Sequence, residues 1–279
     1  MIIDCHTHVL PPQVKSNCSQ YTSWDKAFNA IYSGDKVKIA TAEDLIESMD
    51  RDEVDVSVIV NYQWTTHDFC ALTNDYILES VAKYPKRLIG LCAVSSYTDD
   101  ASLKEIERCA CGGIRGVGEL RPDTLGIDYT KENIIKPFVD IIKKHKLIVS
   151  THSTEPVGHL YPGKGKATPD LLLNFVSHFT ELPVVCAHWG GGLPFYALMP
   201  EVKHALESVY FDTAISPYLY KPEIYQSVSK IVGVEKILFG SDFPVIGQAK
   251  VYNEIKDADL KKEDKEKILY GNVKRLLGI

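Results

Sequence analysis

A chain of 279 residues, 45% hydrophobic and 24% charged, has the composition of an ordinary folded protein and is long enough for one large α/β domain. No run approaches the roughly 20 apolar residues of a membrane span, and a formal charge of −6 gives no electrostatic reason to bind nucleic acid. With no basic segment ahead of an apolar signal core, and seven cysteines that read as reduced thiols, the cytoplasm is the expected location.

The chain opens on a strand over residues 2–5 that runs into His6-Thr7-His8, where period-two alternation puts both imidazoles on one face and turns Thr7 away. Pro11-Pro12 stop it, and residues 11–38 read as irregular. Thr41-Ala42-Glu43-Asp44 opens a helix over 42–51 with Leu45, Ile46 and Met49 on one face. Strands over 56–60 and 88–93 flank a helix over 68–84; a helix over 101–109 ends in Cys109-Ala110-Cys111, which reads as packing. A strand over 114–118 leads to Glu119, and a helix over 137–144 ends on Lys143, Lys144 and His145, where its dipole favours positive charge. The strand over 147–151 leads to His152, residues 153–167 read as irregular, and a helix follows over 169–179. Strands over 184–187, 209–212 and 236–240 alternate with helices over 200–207, 222–231 and 261–277, the first strand leading to His188 and the last to Asp242. Eight strand and helix pairs without a linker predict a TIM-like (β/α)₈ barrel in a single domain over 1–279.

His6, His8, Glu119, His152, His188 and Asp242 thus converge on one rim as candidate metal ligands. Such a mixed nitrogen and oxygen set suits a divalent ion, zinc foremost, with manganese, iron or cobalt also fitting, and the lack of cysteine among the ligands argues against a closed structural zinc site. Each residue also has a plainer reading: hydrogen-bonded core histidines for His6 and His8, a helix cap for Asp242, acid or base work without metal for His152 and His188. Glu119 can equally be a salt-bridge partner of Arg115 or Arg121; if instead it bridges two ions, the centre is binuclear.

His6-Thr7-His8, His152, His188-Trp189-Gly190-Gly191 and Gly240-Ser241-Asp242-Phe243-Pro244 resemble, in order and spacing, the amidohydrolase superfamily, in particular its amidohydrolase-related branch. The resemblance spans nearly the whole chain. It implies that His6, His8 and Asp242 hold a buried metal, that His152 serves the same or a second ion, and that His188 either assists catalysis or ligates. Asp242 is then also the base. No lysine stands at the end of strand four, and Glu119 looks like the bridging glutamate of other members, including TatD-like deoxyribonucleases, so one or two ions are implied.

That branch holds metal-dependent hydrolases and nonoxidative decarboxylases resembling aminocarboxymuconate semialdehyde decarboxylase. The leading expectation is hydrolysis of an amide, lactone or ester by metal-activated water. Decarboxylation of an aromatic or unsaturated acid comes second, and a barrel that binds metal or ligand without catalysis comes last. The loop over 155–165, similar to loops elsewhere in the branch, offers His159, Tyr161 and Lys164 to an anionic or carbonyl-rich substrate. Arg121 is the expected carboxylate clamp and Trp189 an apolar wall. The expected partner is a small molecule, with a homodimer allowed for, and neither nucleic acid nor membrane.

Overall fold

The structure is a computed structural model that describes residues 1–34, 37–125, 131–161 and 163–279. The β-branched runs form eight parallel strands paired in chain order: β1 (Ile3–Thr7), β2 (Val56–Ile59), β3 (Leu88–Cys92), β4 (Gly116–Leu120), β5 (Ile148–Thr151), β6 (Val184–Cys186), β7 (Val209–Asp212) and β8 (Ile237–Leu238). The ends of the sheet meet, because Cys5 N–H donates to Phe239 O and Asp242 N–H to His6 O, both at 2.8 Å. The expected (β/α)₈ barrel results. Ile3, Cys5, Val58, Leu91, Ile148, Val185 and Leu238 pack together across the strands, and Val273 and Leu277 of the last helix close that end.

The helices bury their apolar faces against the outside of this sheet. Thr41 starts the helix Ala42–Asp52 with a reciprocal cap: its hydroxyl accepts from Asp44 N–H, and the Asp44 carboxylate accepts from Thr41 N–H at 2.6 Å. The helix Glu132–Lys144 begins before the expected 137 and carries Pro137 inside. Burial of Ile135, Phe138, Val139 and Ile142 outweighs the roughly 3 kcal/mol an interior proline costs.

Residues 11–38 depart most from expectation, since 12–32 form three short helices, Pro12–Ser16, Cys18–Trp24 and Lys26–Tyr32. Asp25 explains the third: one carboxylate oxygen accepts from Ala27 and Phe28 N–H at 2.9 Å, and the other accepts from Thr65 N–H at 2.8 Å. Phe28 then stacks on Trp64, ring centroids 4.4 Å apart, which fixes the insertion over the loop after β2. Two strand ends also move. β4 runs on through Glu119 to Leu120, whereas β8 stops at Leu238, because Gly240 N–H turns to Thr213 Oγ1 and Ser241 N–H to Asp4 Oδ1.

Candidate metal centre

His6 lies within β1 and His8 one residue past it, and each ring is oriented from behind. His6 Nδ1 donates to Asp212 Oδ2 at 2.8 Å, and His8 Nδ1 donates to the Val60 carbonyl at 2.9 Å. Those acceptors require a proton on each Nδ1, so in the neutral rings both Nε2 atoms carry lone pairs. Yet the two Nε2 atoms face each other at 3.1 Å. Facing lone pairs repel, so the geometry calls for a positive charge between them.

The remaining candidates surround that point. Asp242 Oδ1 is 3.2 Å from His8 Nε2 and 3.7 Å from His6 Nε2. Glu119 divides its oxygens: Oε2 lies 3.7 Å from His8 Nε2 and 4.0 Å from His6 Nε2, whereas Oε1 lies 2.9 Å from His152 Nδ1 and 3.5 Å from His188 Nε2. His152 Nε2 is 3.1 Å from the Thr154 hydroxyl, which both donates and accepts and so suits either tautomer. Ligand atoms of His6, His8 and Glu119, of His6, His188 and Asp242, and of Glu119, His152 and His188 form three groups, each within 4.8 Å. Four imidazoles and two carboxylates, with the rings of His6 and His8 braced by acceptors behind them, fit a divalent transition ion.

Backbone conformation aims these groups. His188 and Asp242 have left-handed φ of 54° and 70°, which costs a non-glycine residue about 1 kcal/mol or more and turns both side chains toward the cluster. Asp212 accepts His188 N–H at 2.9 Å on the carboxylate that also holds His6. At Gly118, φ is 144° and a Cβ would run into the Ser150 carbonyl, so only glycine lets β4 and β5 approach closely enough to seat Glu119 beside His152.

The electrostatics follow from crowding charges away from water. Burial opposes charge on His6, but Asp212, Asp242 and Glu119 outweigh it and push the ring up to about 10. Burial likewise opposes the Glu119 carboxylate, yet His152, His188 and His6 hold it well below the usual carboxylate range. His152 is pushed down to about 4 by burial and by the Arg121 charge, against Glu119. His188 is raised despite burial, through Glu119 and Asp242, and Asp242 is lowered despite burial, through His8, His6 and His188. Glu119 and Asp242 are thereby held toward the ionised form, in which a carboxylate can ligate a cation.

Above the cluster opens a cavity of about 760 Å³ with His8, Glu119, His152, His188 and Asp242 at its floor. Tyr32, Tyr62, Ile215, Tyr218, Leu219 and Val245 are among its walls, and Tyr62 packs its ring on His8 at 4.9 Å. Of the expected substrate contacts, Arg121, His159 and Tyr161 line the cavity; Pro162 of that loop lies outside the described residues. Lys164 does not line it, because its amine donates to the Val157 and His159 carbonyls at 2.8 and 3.0 Å. Trp189 is a second correction: left-handed φ at residues 188 and 189 sends its indole into the core, against Tyr225 and with its N–H on Ser216 Oγ at 3.0 Å. Glu119 forms no ion pair with Arg115 or Arg121; its partners are the histidines. Sequence reasoning missed Asp212, although a carboxylate at the end of strand seven was a readable signal, and missed Tyr62, for which no local signal existed.

All seven cysteines are free; Cys109 is buried, as packing requires, whereas Cys111 is exposed, against the packing expected of it. Among the described residues no helix is long and apolar enough to cross a membrane.

Residues 3–279 match the family model described as amidohydrolase. A 2-amino-3-carboxymuconate-6-semialdehyde decarboxylase from Dictyostelium discoideum is 23% identical over 99% of this chain and 91% of its own. The structure of a 5-carboxyvanillate decarboxylase from Novosphingobium aromaticivorans, complexed with manganese and 4-hydroxy-3-methoxy-5-nitrobenzoic acid, is similar with TM-score 0.82 at 16% identity, covering 100% of this chain and 96% of that one. A dihydroxybenzoic acid decarboxylase from Polaromonas, with bound manganese and 2-nitroresorcinol, is similar with TM-score 0.78 at 16% identity over 99% and 96% of the two chains.

Proposed function

The chain belongs to the amidohydrolase family, and from that premise we propose that it is a metal-dependent, nonoxidative decarboxylase of an aromatic or unsaturated carboxylic acid. The observation that carries this reading is the tyrosine-walled cavity set directly on the cluster, which suits a flat acid presenting its carboxylate to the floor. The decarboxylases among its relatives support the same choice. Hydrolysis, the first expectation from sequence, rests on family membership alone and discriminates less.

We assign His6, His8 and Asp242 to hold one divalent cation, with Glu119 and His152 placed to share in it or hold a second, and His188 left free to carry a proton. When bound, the cation supplies positive charge that orients the acid's oxygens and stabilises developing negative charge. Manganese, present in the two similar structures, and zinc both suit the donors. The chain's own residues supply the rest. Tyr62 offers an aromatic face to the substrate, and the apolar walls exclude water from the carbon that reacts. As the carbon–carboxylate bond breaks, its electron pair stays on that carbon and carbon dioxide leaves. His188, which lines the cavity floor, delivers the proton from Nε2 to that carbon, and the Asp242 carboxylate, within 4.8 Å, stabilises the imidazolium beforehand. Water then reprotonates His188.

The test is carbon dioxide release from hydroxybenzoates and unsaturated acids in D₂O. One deuterium should enter at the vacated carbon, and His188→Asn should lower kcat by about 100-fold with metal content unchanged. Turnover of lactones or amides with no acid decarboxylated would overturn the reading. One observation favours hydrolysis as a second reading: Glu119 turns its two oxygens to different histidine pairs, as a carboxylate shared by two ions does. That reading requires two metals per chain and ¹⁸O from water in the product. The free thiols support the cytoplasm as the protein's place.

A further inference from the structure

Arg121 is 7% exposed and lies in the wall of the cavity, immediately after β4. Its backbone N–H is held by the Gln63 side-chain carbonyl, so the residue's position is set from below. Its guanidinium donates through Nη2 to the Gly163 carbonyl, a neutral group. Among the described residues no carboxylate forms a direct ion pair with it: Asp123 stands near Nη2 across Gly165 but accepts from Lys166 N–H, and the two carboxylates that line the cavity, Glu119 and Asp242, are engaged by histidines. A guanidinium is charged at every accessible pH, and a buried charge without a direct hydrogen-bonded counter-charge is costly. The other groups that line the cavity are tyrosines, aliphatic side chains, histidine rings and Lys38, none of which neutralises a cation.

Resting on the decarboxylase reading above, we propose that Arg121 anchors a second anionic group of the substrate, which is therefore a planar dianion: one carboxylate at the cluster and another on the guanidinium. A planar fork with several donors matches a carboxylate better than it matches a phenol or an amide, which places the specificity for charge at this one residue. A purely structural role, bracing the loop through Gly163, would leave ligand charge irrelevant.

The experiment compares matched ligands on the metal-loaded protein by calorimetry: phthalate, isophthalate and terephthalate, each against its monoamide. At least one diacid should bind about 10- to 100-fold more tightly than its monoamide, the range expected of a charge-assisted pair. In Arg121→Gln that ratio should collapse to within about threefold, and Arg121→Lys should restore part of it. Equal binding of every diacid and its monoamide in the wild type, no binding of any diacid, or an equal loss for both partners in Arg121→Gln would each overturn the anchor. The wild-type comparison stands even if a variant fails to fold. Carbon dioxide release is read separately: a diacid preference without decarboxylation keeps the anchor and removes the reaction, and decarboxylation of monoacids without that preference does the reverse.

Discussion

Asp212 offers a test of how the centre is built, because one carboxylate accepts from His6 Nδ1 at 2.8 Å, from His188 N–H at 2.9 Å and from Ala214 N–H at 3.0 Å. In Asp212→Asn the carbonyl oxygen can keep the two backbone donors, which leaves the amide NH₂ facing His6. Two N–H groups cannot share that contact, so the imidazole must shift its proton to Nε2, where the metal lone pair was. Loss of such a bracing partner typically lowers metal affinity by about 10- to 100-fold, or roughly 1.4 to 2.8 kcal/mol. Competition with a fluorescent chelator measures it, and circular dichroism confirms that the fold survives. Wild-type metal affinity in the folded variant would refute the claim that Asp212 sets the tautomer of His6.

Three further outcomes follow from the geometry. His6, raised from 6.5 to about 10 in the metal-free centre, contributes stability that is full below its unfolded value and lost as pH climbs toward about 10. Glu119 and Asp242, held low, contribute stability that is lost in acid, so the metal-free melting temperature should peak near neutral or mildly acidic pH and fall on both sides; a profile flat up to pH 10 would contradict this. Gly118→Ala drives a methyl into the Ser150 carbonyl at a φ only glycine adopts easily, and should cost about 1 to 3 kcal/mol in urea unfolding with a parallel loss of metal. Asp25→Ala removes the cap of the helix Lys26–Tyr32 and its tie to Thr65, so about 1 to 2 kcal/mol of local protection should vanish from those amides in hydrogen exchange while β-strand amides keep theirs.

Much of the centre was legible because its residues stand at strand ends, where a short apolar run followed by His152, His188 or Asp242 leaves little choice of direction. The barrel was legible for the same reason. What escaped has physical causes that single-chain patterns do not record. Helices of five to seven residues, such as those over 12–32, are too short to show a 3.6-residue period, and their order comes from Asp25 and Trp64, far apart in sequence. Trp189 looked like a wall of the site because nothing in its own identity announces the left-handed backbone that turns the indole into the core. Lys164 was misread since an amine's partners are loop carbonyls that any sequence supplies.

The seam at which β8 meets β1 passes through the centre itself: Asp242 N–H reaches His6 O, and His8 N–H reaches Phe243 O at 2.7 Å. An ion gripped by His6, His8 and Asp242 would therefore fasten the first strand to the last, as a clasp fastens the two ends of a belt. Nearly the entire chain lies inside that clasp, so the cofactor that enables the chemistry would also restrain the whole polypeptide. A chain still missing its final strand would lack Asp242 and so hold only part of the buckle.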